Sequence, residues 1–501
     1  MTWARMSSVG YSTEYEIYLT DQNGVQIVTN ELSLIILKEI RYHEISPSEI
    51  ASAIGIPKST VQANIAKLLS SGIVSQEQSI NDARSVVYHI SANLLFSSDA
   101  DIEWQIYARL ASVIRILKSG RCTSREDMSL YGVSLTESGL NIVQGLFSIG
   151  ASLTSKGRMF ENWEKLVENV KEVCAERGYS VKINTDEGIE LELESDEDNL
   201  ADIPMIVVPM LGAIINQSTR LLGKNLVQDI SLSVNKGGRL VRMRVRQYDG
   251  QPYDEHHVKS NSIANYKVSE PFSIYSIKGK ATLFTNVTMM SILHNLSERD
   301  LSVNDLEEIT GVPKATLYAS IKKLLDLGAI EIDENSGSPK NYVLLADPIL
   351  YSKDSVESNT ERLFEIIDLF HEGKMDYYTA VISYAMEAIG CMGLHFEKMF
   401  VRSGRSTARS FLQLFPNIEP EKLIDVACNM VSVPDRAEVV SHIPLKIRVI
   451  LSKETIWESW PADFIKGFVH EGLFQLLGEE YKVSVETVQE VVPGKYEVLD
   501  F

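Results

Sequence analysis

The sequence is short of cysteine, of positive charge and of long apolar runs. Among its 501 residues are four cysteines, Cys122, Cys174, Cys391 and Cys428, and no two of them form a CxxC pair. Such spacing argues against a zinc cluster or a disulfide framework and favours reduced thiols in a cytosolic protein. There is no run of about 18 apolar residues, so we expect no membrane span. The first residues lack the apolar stretch of a signal peptide, and we expect a cytoplasmic protein.

The motifs of the common enzyme classes are also absent. The sequence has no GxxxxGK[ST], GxSxG or HExxH motif, and no GxGxxG after a strand. Its densest acidic run, 194–198, is typical of a solvated turn. The run 254–257, Asp-Glu-His-His, is a weak candidate for a metal site, but its polar surroundings favour a solvated linker. We therefore expect neither an enzyme nor a bound cofactor or metal.

Acidic residues outnumber basic ones. The formal net charge is −20 and the sequence pI is about 5.0. This balance argues against a coat protein for nucleic acid and against a polybasic membrane binder. It does not exclude a sequence-specific DNA-binding protein, because the charge on one face decides that. It predicts weak non-specific binding to DNA.

What the sequence does contain is a long internal repeat. Ile17-Tyr18 returns as Ile274-Tyr275, and the segment 56–60 (IPKST) returns as 312–316 (VPKAT), an offset of 256 residues (312 − 56). A later Leu-Gly pair, 222–223, returns at 477–478. The period is too long for a solenoid, so the pattern predicts a tandem duplication of one or more true domains.

Residues 29–98 have the pattern of a winged helix. Three helices are predicted, over 29–43, 48–54 and 59–72, followed by a strand that begins at Ile73, a turn over 79–85 and a second strand over 86–91. Val61, Ile65, Leu68 and Leu69 are predicted to form the buried face of the third helix. The same pieces return in residues 285–350, with helices over 289–300, 302–310 and 312–328 and a wing over 329–346.

Both copies resemble winged-helix regulators of the MarR and TrmB-like type. The features that carry this resemblance are a short helix, a glycine, a helix that opens with Pro-Lys-(Ser/Ala)-Thr, and a hairpin. The resemblance covers about 65 residues in each copy. It implies that the third helix enters the major groove and that the wing contacts phosphate. The residues that would contact DNA in the first copy are Lys58, Ser59, Thr60, Gln62, Asn64, Lys67 and Arg84. Those in the second copy are Lys314, Thr316, Tyr318, Lys322 and Lys340.

The two predicted winged helices differ in charge. Residues 29–93 contain five basic and six acidic residues, a net of −1, whereas residues 286–350 contain five basic and ten acidic residues, a net of −5. The first copy is therefore the better candidate for DNA binding. The alternative is that these acidic winged helices dock proteins, which would make the chain a non-enzymatic interaction scaffold.

The rest of each copy has mixed helix and strand character. We expect an N-terminal strand or arm over 1–28, an α/β domain over 99–247, a linker and strand over 248–284, and a second α/β domain over 351–501. In each α/β domain the expected order is helices, strands, an apolar helix (203–222 or 461–477) and two closing strands. Gly145, Gly150, Gly390 and Gly393 interrupt the helical stretches and indicate close helix packing or a cleft.

This order resembles the 4-vinyl reductase domain, an α/β ligand-binding fold. The tail carries the closest likeness, with Gly467, Gly478, Glu486, Gly494 and Phe501 near the positions where the family has Gly, Gly, Glu, Gly and Phe. The family often has two cysteines in the last hairpin, and this chain has none there. The resemblance therefore implies a small-molecule sensor domain without a zinc site or a thiol switch.

Aromatic and methionine side chains are the candidates for an apolar ligand pocket. In the second copy they are Met392, His395, Met399, Trp457, Trp460, Phe464 and Phe468, and in the first copy Phe147, Trp163 and Met210. Ordinary hydrophobic core is the alternative interpretation of this stripe. The two histidines His395 and His470 are expected to be surface or hydrogen-bonded side chains.

Together these patterns predict an α+β protein with two winged helices, each followed by an α/β domain. The expected function is a transcriptional regulator that binds double-stranded DNA. A small apolar effector, or pairing between the domains, would change its affinity for the operator. The duplication would make one chain a pseudo-dimer, although a further homodimer stays open.

Overall fold

The structure of the protein is a computed structural model. It describes residues 10–20, 24–42, 45–78, 86–98, 102–136, 163–175, 179–184, 188–195, 225–234, 240–248, 271–334, 336–352, 360–391, 393–432, 435–451, 460–478, 481–492 and 495–498.

Helices and strands alternate in short runs along the first half of the chain. In chain order the strands and helices are β1 (Tyr11–Ser12), β2 (Glu16–Thr20), β3 (Gly24–Val28), α1 (Glu31–Tyr42), α2 (Pro47–Ile54), α3 (Lys58–Ser70), β4 (Val74–Gln78), β5 (Val86–Ile90), β6 (Asn93–Ser97), α4 (Ile102–Ser119), α5 (Ser124–Asp127), a π-helical turn (Met128–Gly132), α6 (Val133–Thr136), α7 (Trp163–Ala175), β7 (Tyr179–Asn184), β8 (Gly188–Ser195), β9 (Asn225–Val234) and β10 (Leu240–Tyr248).

A similar order of elements follows in the second half. These are β11 (Ser273–Ile277), β12 (Lys280–Phe284), α8 (Val287–Leu296), β13 (Leu301–Ser302), α9 (Val303–Thr310), α10 (Lys314–Leu327), β14 (Ile330–Ile332), β15 (Asn341–Leu344), β16 (Asp347–Ser352), α11 (Thr360–His371), α12 (Tyr377–Cys391), β17 (Leu394–His395), α13 (Glu397–Leu414), α14 (Pro420–Cys428), β18 (Arg436–His442), β19 (Leu445–Leu451), α15 (Trp460–Leu477), β20 (Val483–Val492) and β21 (Lys495–Val498).

The three predicted helices of each winged helix are confirmed, and equivalent residues begin α2 and α9. Ser46 accepts a hydrogen bond from the backbone of Glu49, whose carboxylate accepts one from the backbone of Ser46. Ser302 and Asp305 form the same reciprocal pair. Such a capping box satisfies two backbone N–H groups that the first turn of a helix leaves without partners. The hydrogen bonds from Ser46 and Ser302 hold the pKa values of Glu49 and Asp305 below their usual range.

Equivalent residues also form the turn that leads into α3 and α10. Gly55 and Gly311 both end the preceding helix in the left-handed region, at φ 70° and 66°. Pro57 and Pro313 then stand directly before the third helix. Because glycine adopts positive φ without strain and proline cannot continue the helix before it, the sequence dictates a sharp turn at this point.

The predicted wings are confirmed as antiparallel pairs. In the first winged helix, β4 pairs with β5, and an isolated bridge joins Ile45 to Tyr88. In the second, β14 pairs with β15, and β13 joins the sheet through Leu301 and Tyr342. In both units the chain before the second helix thus contacts the returning strand of the wing.

A hairpin precedes each winged helix, where only an N-terminal arm and a linker with one strand were predicted. In the first half β2 pairs with β3 and with β6, the strand that follows the wing. In the second half β11 pairs with β12 and with β16 in the same way. The turn of the second hairpin, Lys278-Gly279, has positive φ at both residues, as a tight two-residue hairpin turn requires.

The two faces of these hairpin sheets pack on different cores. Tyr18 and Tyr275 point into the core of their own winged helix. Their neighbours Ile17 and Ile274 point to the opposite face, since successive strand residues alternate, and both belong to one core shared by the two halves. The rings of Phe96 and Phe272 meet there at a centroid distance of 6.3 Å. The two winged helices are therefore joined through their hairpin sheets.

The start of the chain is attached to the second winged helix. Tyr11 pairs with Phe284, so β1 extends the sheet of the second hairpin. The carbonyl of Gly10 accepts hydrogen bonds from the backbone N–H groups of Thr285 and Asn286, at 3.2 and 3.3 Å. This contact ties the first half to the residues that begin α8.

In the α/β unit of the second half, α13 packs against α15, and α15 packs on a four-stranded sheet of order β18-β19-β20-β21. Strands β19 and β20 are parallel because α15 carries the chain from one to the other. At the helix crossing, a Cβ on Gly404 would lie 2.2 Å from the carbonyl oxygen of Phe464, and one on Gly467 would lie 2.0 Å from that of Val401. Gly404 and Gly467 therefore permit the close approach of these two helices.

Several details of the α/β units differ from the prediction. The helical stretch that contains Gly390 and Gly393 is two helices, because Gly393 turns the chain at φ 79° and β17 intervenes. A Cβ on Gly390 would meet nothing within 4 Å. Strand β18 was not predicted. The first half's sheet has the order β7-β8-β10-β9, which is not the order of the second half's sheet. Gly145 and Gly150 lie outside the described residues.

Among the helices that the structure describes, none is both long enough and apolar enough to cross a bilayer.

Candidate nucleic-acid interface

Helix α3 presents a polar face to solvent. Val61, Ile65 and Leu68 are buried in the core of the first winged helix, and Leu69 is half-buried. Each fully buried aliphatic side chain contributes roughly 1.5–3 kcal/mol to holding the helix in place. The predicted DNA-contacting residues that are exposed on the opposite face are Lys58, Ser59, Thr60, Gln62 and Lys67.

Asn64 differs from the other predicted residues of α3. It is half-buried, its amide nitrogen donates to the carbonyl of Thr60 at 2.9 Å, and its amide oxygen accepts from the hydroxyl of Ser33 on α1 at 3.3 Å. These bonds direct the side chain toward α1 rather than toward solvent. Helical spacing alone does not reveal this, because the partner Ser33 lies 31 residues earlier.

Helix α10 has the same orientation in the second winged helix. Leu317, Ile321 and Leu324 are buried. The predicted residues Lys314, Thr316, Tyr318 and Lys322 are exposed on the outer face. Tyr318 is 55 % exposed, and its ring therefore lies on the candidate interface.

A carboxylate lies at the start of α10 that has no counterpart at α3. The ammonium of Lys314 is 3.5 Å from the carboxylate of Glu307, which also accepts from the backbone N–H of Lys314. Residue 51, the position equivalent to 307, is a buried alanine in the first winged helix. In the second copy Lys314 is therefore paired with a carboxylate that the alanine at position 51 cannot supply to Lys58 in the first copy.

Of the two residues predicted to contact phosphate from the wings, Lys340 is among the described residues. Lys340 is exposed in the turn between β14 and β15, as predicted for a residue that contacts phosphate. Arg84 lies outside the described residues, in the corresponding turn of the sequence.

The predicted pocket residues of the second copy lie at the junction between the two halves. Phe464, Phe468 and Met399 are fully buried. The ring of Tyr131, from the first half, lies 4.2 Å from that of Trp460 and 5.5 Å from that of Phe464. These side chains therefore form a packed aromatic cluster to which both halves contribute.

The remaining predicted pocket residues are elsewhere. His395 is half-buried and stacks on Tyr351, with ring centroids 5.2 Å apart. Met392, Trp457, Phe147 and Met210 lie outside the described residues, as does the run 254–257. Trp163 begins α7, but its side chain is outside the description.

Sequence reasoning missed a second feature of this junction. The carboxylate of Asp127, in the first half, accepts a hydrogen bond from the hydroxyl of Ser432 in the second. The thiol of Cys122 lies 3.4 Å from the same carboxylate. Burial raises the pKa of Asp127 to about 7, despite these hydrogen bonds. No local motif marks this site, since its partner lies 305 residues away.

Comparison with protein families gave two matches, one on each winged helix. Residues 29–85 match the MarR family, and residues 286–331 match the bacterial regulatory proteins of the arsR family. Comparison of the chain with curated proteins and with solved structures gave no match. Both matching families consist of DNA-binding regulators, and the two matches point to a winged-helix transcription regulator.

Proposed function

We propose that the chain is a pseudo-dimeric transcriptional regulator in which both winged helices contact one operator. The observation that carries this proposal is the outward face of α3, where Lys58, Thr60 and Gln62 are exposed on a helix fixed by its buried side. Lysines in such a position neutralise phosphates, and short polar side chains contact base edges.

The proposal includes a tandem duplication, with domain limits at 29–98, 99–247, 285–350 and 351–501. Support comes from paired features of the winged helices: the capping boxes at Ser46 and Ser302 and the left-handed glycines at 55 and 311. It extends to the hairpins, where the backbone of Tyr15 bonds the Ser98 hydroxyl and that of Phe272 bonds the Ser352 hydroxyl. The α/β units support the duplication less than the winged helices do, because their two sheets have different strand orders.

We further propose that the α/β unit of the second half is a sensor related to the 4-vinyl reductase domain, which regulates DNA binding through α13. Lys398 on this helix donates to Ser297 at 2.7 Å and pairs with Glu298, both at the end of α8. Farther along, Arg402 donates to Ser276 of β11 at 3.1 Å. A shift of α13 would therefore move the second winged helix.

The same helix also reaches the first half. The buried guanidinium of Arg109 on α4 donates to Thr407 and to Ser406 of α13, each at 2.9 Å. An effector that changes the packing of α13 would thus act on both halves and alter the spacing of the two third helices. We expect a small apolar effector, because α13 itself contributes to the aromatic cluster: the ring of Phe400 lies 6.4 Å from that of Tyr131 and 6.2 Å from that of Trp460. The α/β units contribute no catalytic step in this proposal.

A protein-docking function for the second winged helix is the second candidate. Its support is the exposure of Tyr318 and Ile309, at 55 % and 46 %, on a domain with more acidic than basic residues. Aromatic side chains surrounded by charge are typical of protein interfaces.

Selection from a pool of random double-stranded DNA tests the main proposal. We expect the purified full-length chain to enrich one sequence that contains two half-sites, and Lys58→Glu with Lys67→Glu to abolish that enrichment. Failure of the wild-type chain to enrich any sequence at low salt would contradict DNA binding. In that case, capture of a protein partner through the second winged helix would favour the interaction scaffold.

A further inference from the structure

The two third helices carry different side chains at one equivalent exposed position. Val61 of α3 and Leu317 of α10 are both buried, and each is the fourth residue of its helix. The next residue is Gln62 in the first helix and Tyr318 in the second, and both are exposed. Because the two helices begin after equivalent prolines and bury equivalent residues, these two side chains occupy the same place on the same kind of surface.

The two helices also carry different side chains three residues earlier. Ser59 in the first helix is replaced by Ala315 in the second, so a hydroxyl becomes a methyl group. Both residues are exposed. The outer face of α3 therefore offers an amide and two hydroxyls near its start, whereas that of α10 offers an aromatic ring beside methyl groups and the one hydroxyl of Thr316.

These two surfaces suit different bases. A glutamine amide can both donate to and accept from the major-groove edge of adenine, which makes it selective for that base. An aromatic ring flanked by methyl groups contacts the methyl group of thymine instead, and apolar contact of this kind disfavours cytosine. Two helices with these faces would not recognise the same half-site.

We propose that the chain recognises an operator with two unequal half-sites, and that Gln62 and Tyr318 are the residues that make them unequal. This inference rests on the proposed function, since it requires that both winged helices contact DNA. It explains why two joined recognition units are carried in one chain. A homodimer of identical winged helices would be restricted to symmetric sites.

Exchange of the two residues tests the proposal. Random-pool selection would be repeated with full-length Gln62→Tyr and Tyr318→Gln, after circular dichroism melting confirms that both fold like the wild type. We expect the wild type to enrich two unequal half-sites. Each single variant should then change the preferred base in one half-site and leave the other unchanged. Binding of each variant to the wild-type operator should fall about fivefold or more.

Tyr318→Phe is the matched control, because it keeps the ring and removes only the hydroxyl. It should retain the wild-type preference. Enrichment of two identical half-sites by the wild type would overturn the inference and leave the proposed function intact. A wild-type site with a single half-site, unaffected by Tyr318→Gln, would overturn it too and assign Tyr318 to a protein partner. Absence of any enrichment would instead be a failure of the proposed function.

Discussion

The two winged helices share their backbone construction and differ in their surfaces. Capping boxes, left-handed glycines and prolines recur at equivalent positions. The outer faces diverge: Glu307 pairs Lys314 in the second unit, whereas the equivalent residue of the first unit is Ala51. The caps and turns that fix the fold thus recur in both units, whereas several residues that would contact a partner differ, among them Gln62 and Tyr318. The difference indicates two related domains with separate recognition tasks.

The largest expected effect is on DNA affinity. Lys58→Glu with Lys67→Glu in the first unit should weaken operator binding by about 100-fold at moderate salt, because each lost phosphate contact removes roughly one unit of the salt slope. The equivalent pair, Lys314→Glu with Lys323→Glu, should cost less than about tenfold, since Lys314 is already paired with Glu307. Fluorescence anisotropy measures both. Equal losses of operator affinity in the two double variants would contradict the proposed difference between the two units.

The two halves also differ at one place in a helix. Asp127 is the fourth residue of α5 in the first half, whereas Ala380 is the fourth residue of α12 in the second. Burial raises the pKa of Asp127 from 3.8 to about 7. The folded state therefore retains a proton that the unfolded state has lost, and the free energy of unfolding falls as pH rises between these values.

Asp127→Asn should remove that pH dependence. Relative to this variant, the wild type should lose about 2 kcal/mol of stability between pH 5 and pH 7. Chemical denaturation of both proteins at each pH measures the difference. Parallel pH profiles would show that the carboxyl group titrates normally in the folded protein.

Removal of the acidic residues before α10 should bring the second unit closer to the first. Glu307→Ala with Glu308→Ser introduces the residues found at positions 51 and 52. With Lys314 released from its ion pair, operator affinity should rise about fivefold at low salt, and the salt dependence should steepen by about one unit of slope. Ser52→Ala, in the first unit, is the control. An unchanged affinity would mean that the second unit does not approach phosphate.

The smallest effects should be equal in the two units. Ser46→Ala and Ser302→Ala each remove a helix cap, which costs about 1 kcal/mol of stability. We expect similar shifts of the thermal midpoint for both variants, and similarly unchanged DNA affinity. A large difference between the two shifts would indicate that the units are less alike in construction than their hydrogen bonds imply.

Local features of the fold could be predicted from the sequence, and distant contacts could not. Helical periodicity located α3 and its buried residues, and Ser46 with Pro47 marked the start of α2. The pairing of β2 with β6 could not be predicted, because the partner of Tyr18 in β6 is Leu94, 76 residues later (94 − 18). The placement of Tyr131 against Trp460 likewise joins the two halves of the chain.

At the candidate interface, too, local features could be predicted and distant contacts could not. Periodicity predicted correctly that Thr60, Gln62 and Lys67 are exposed. It could not predict that Asn64 bonds Ser33, since that requires the position of α1 relative to α3. The carboxylate–hydroxyl contact between Asp127 and Ser432 was missed for the same reason.

Sequence-specific binding to DNA can be tested by a salt titration. Fluorescence anisotropy would follow the full-length chain on the duplex enriched by selection and on an unrelated duplex of equal length. We expect tight binding to the enriched duplex, with an affinity that falls steeply with added salt, and much weaker binding to the unrelated one. Binding that is absent at low salt, or equal on both duplexes, would contradict a sequence-specific regulator.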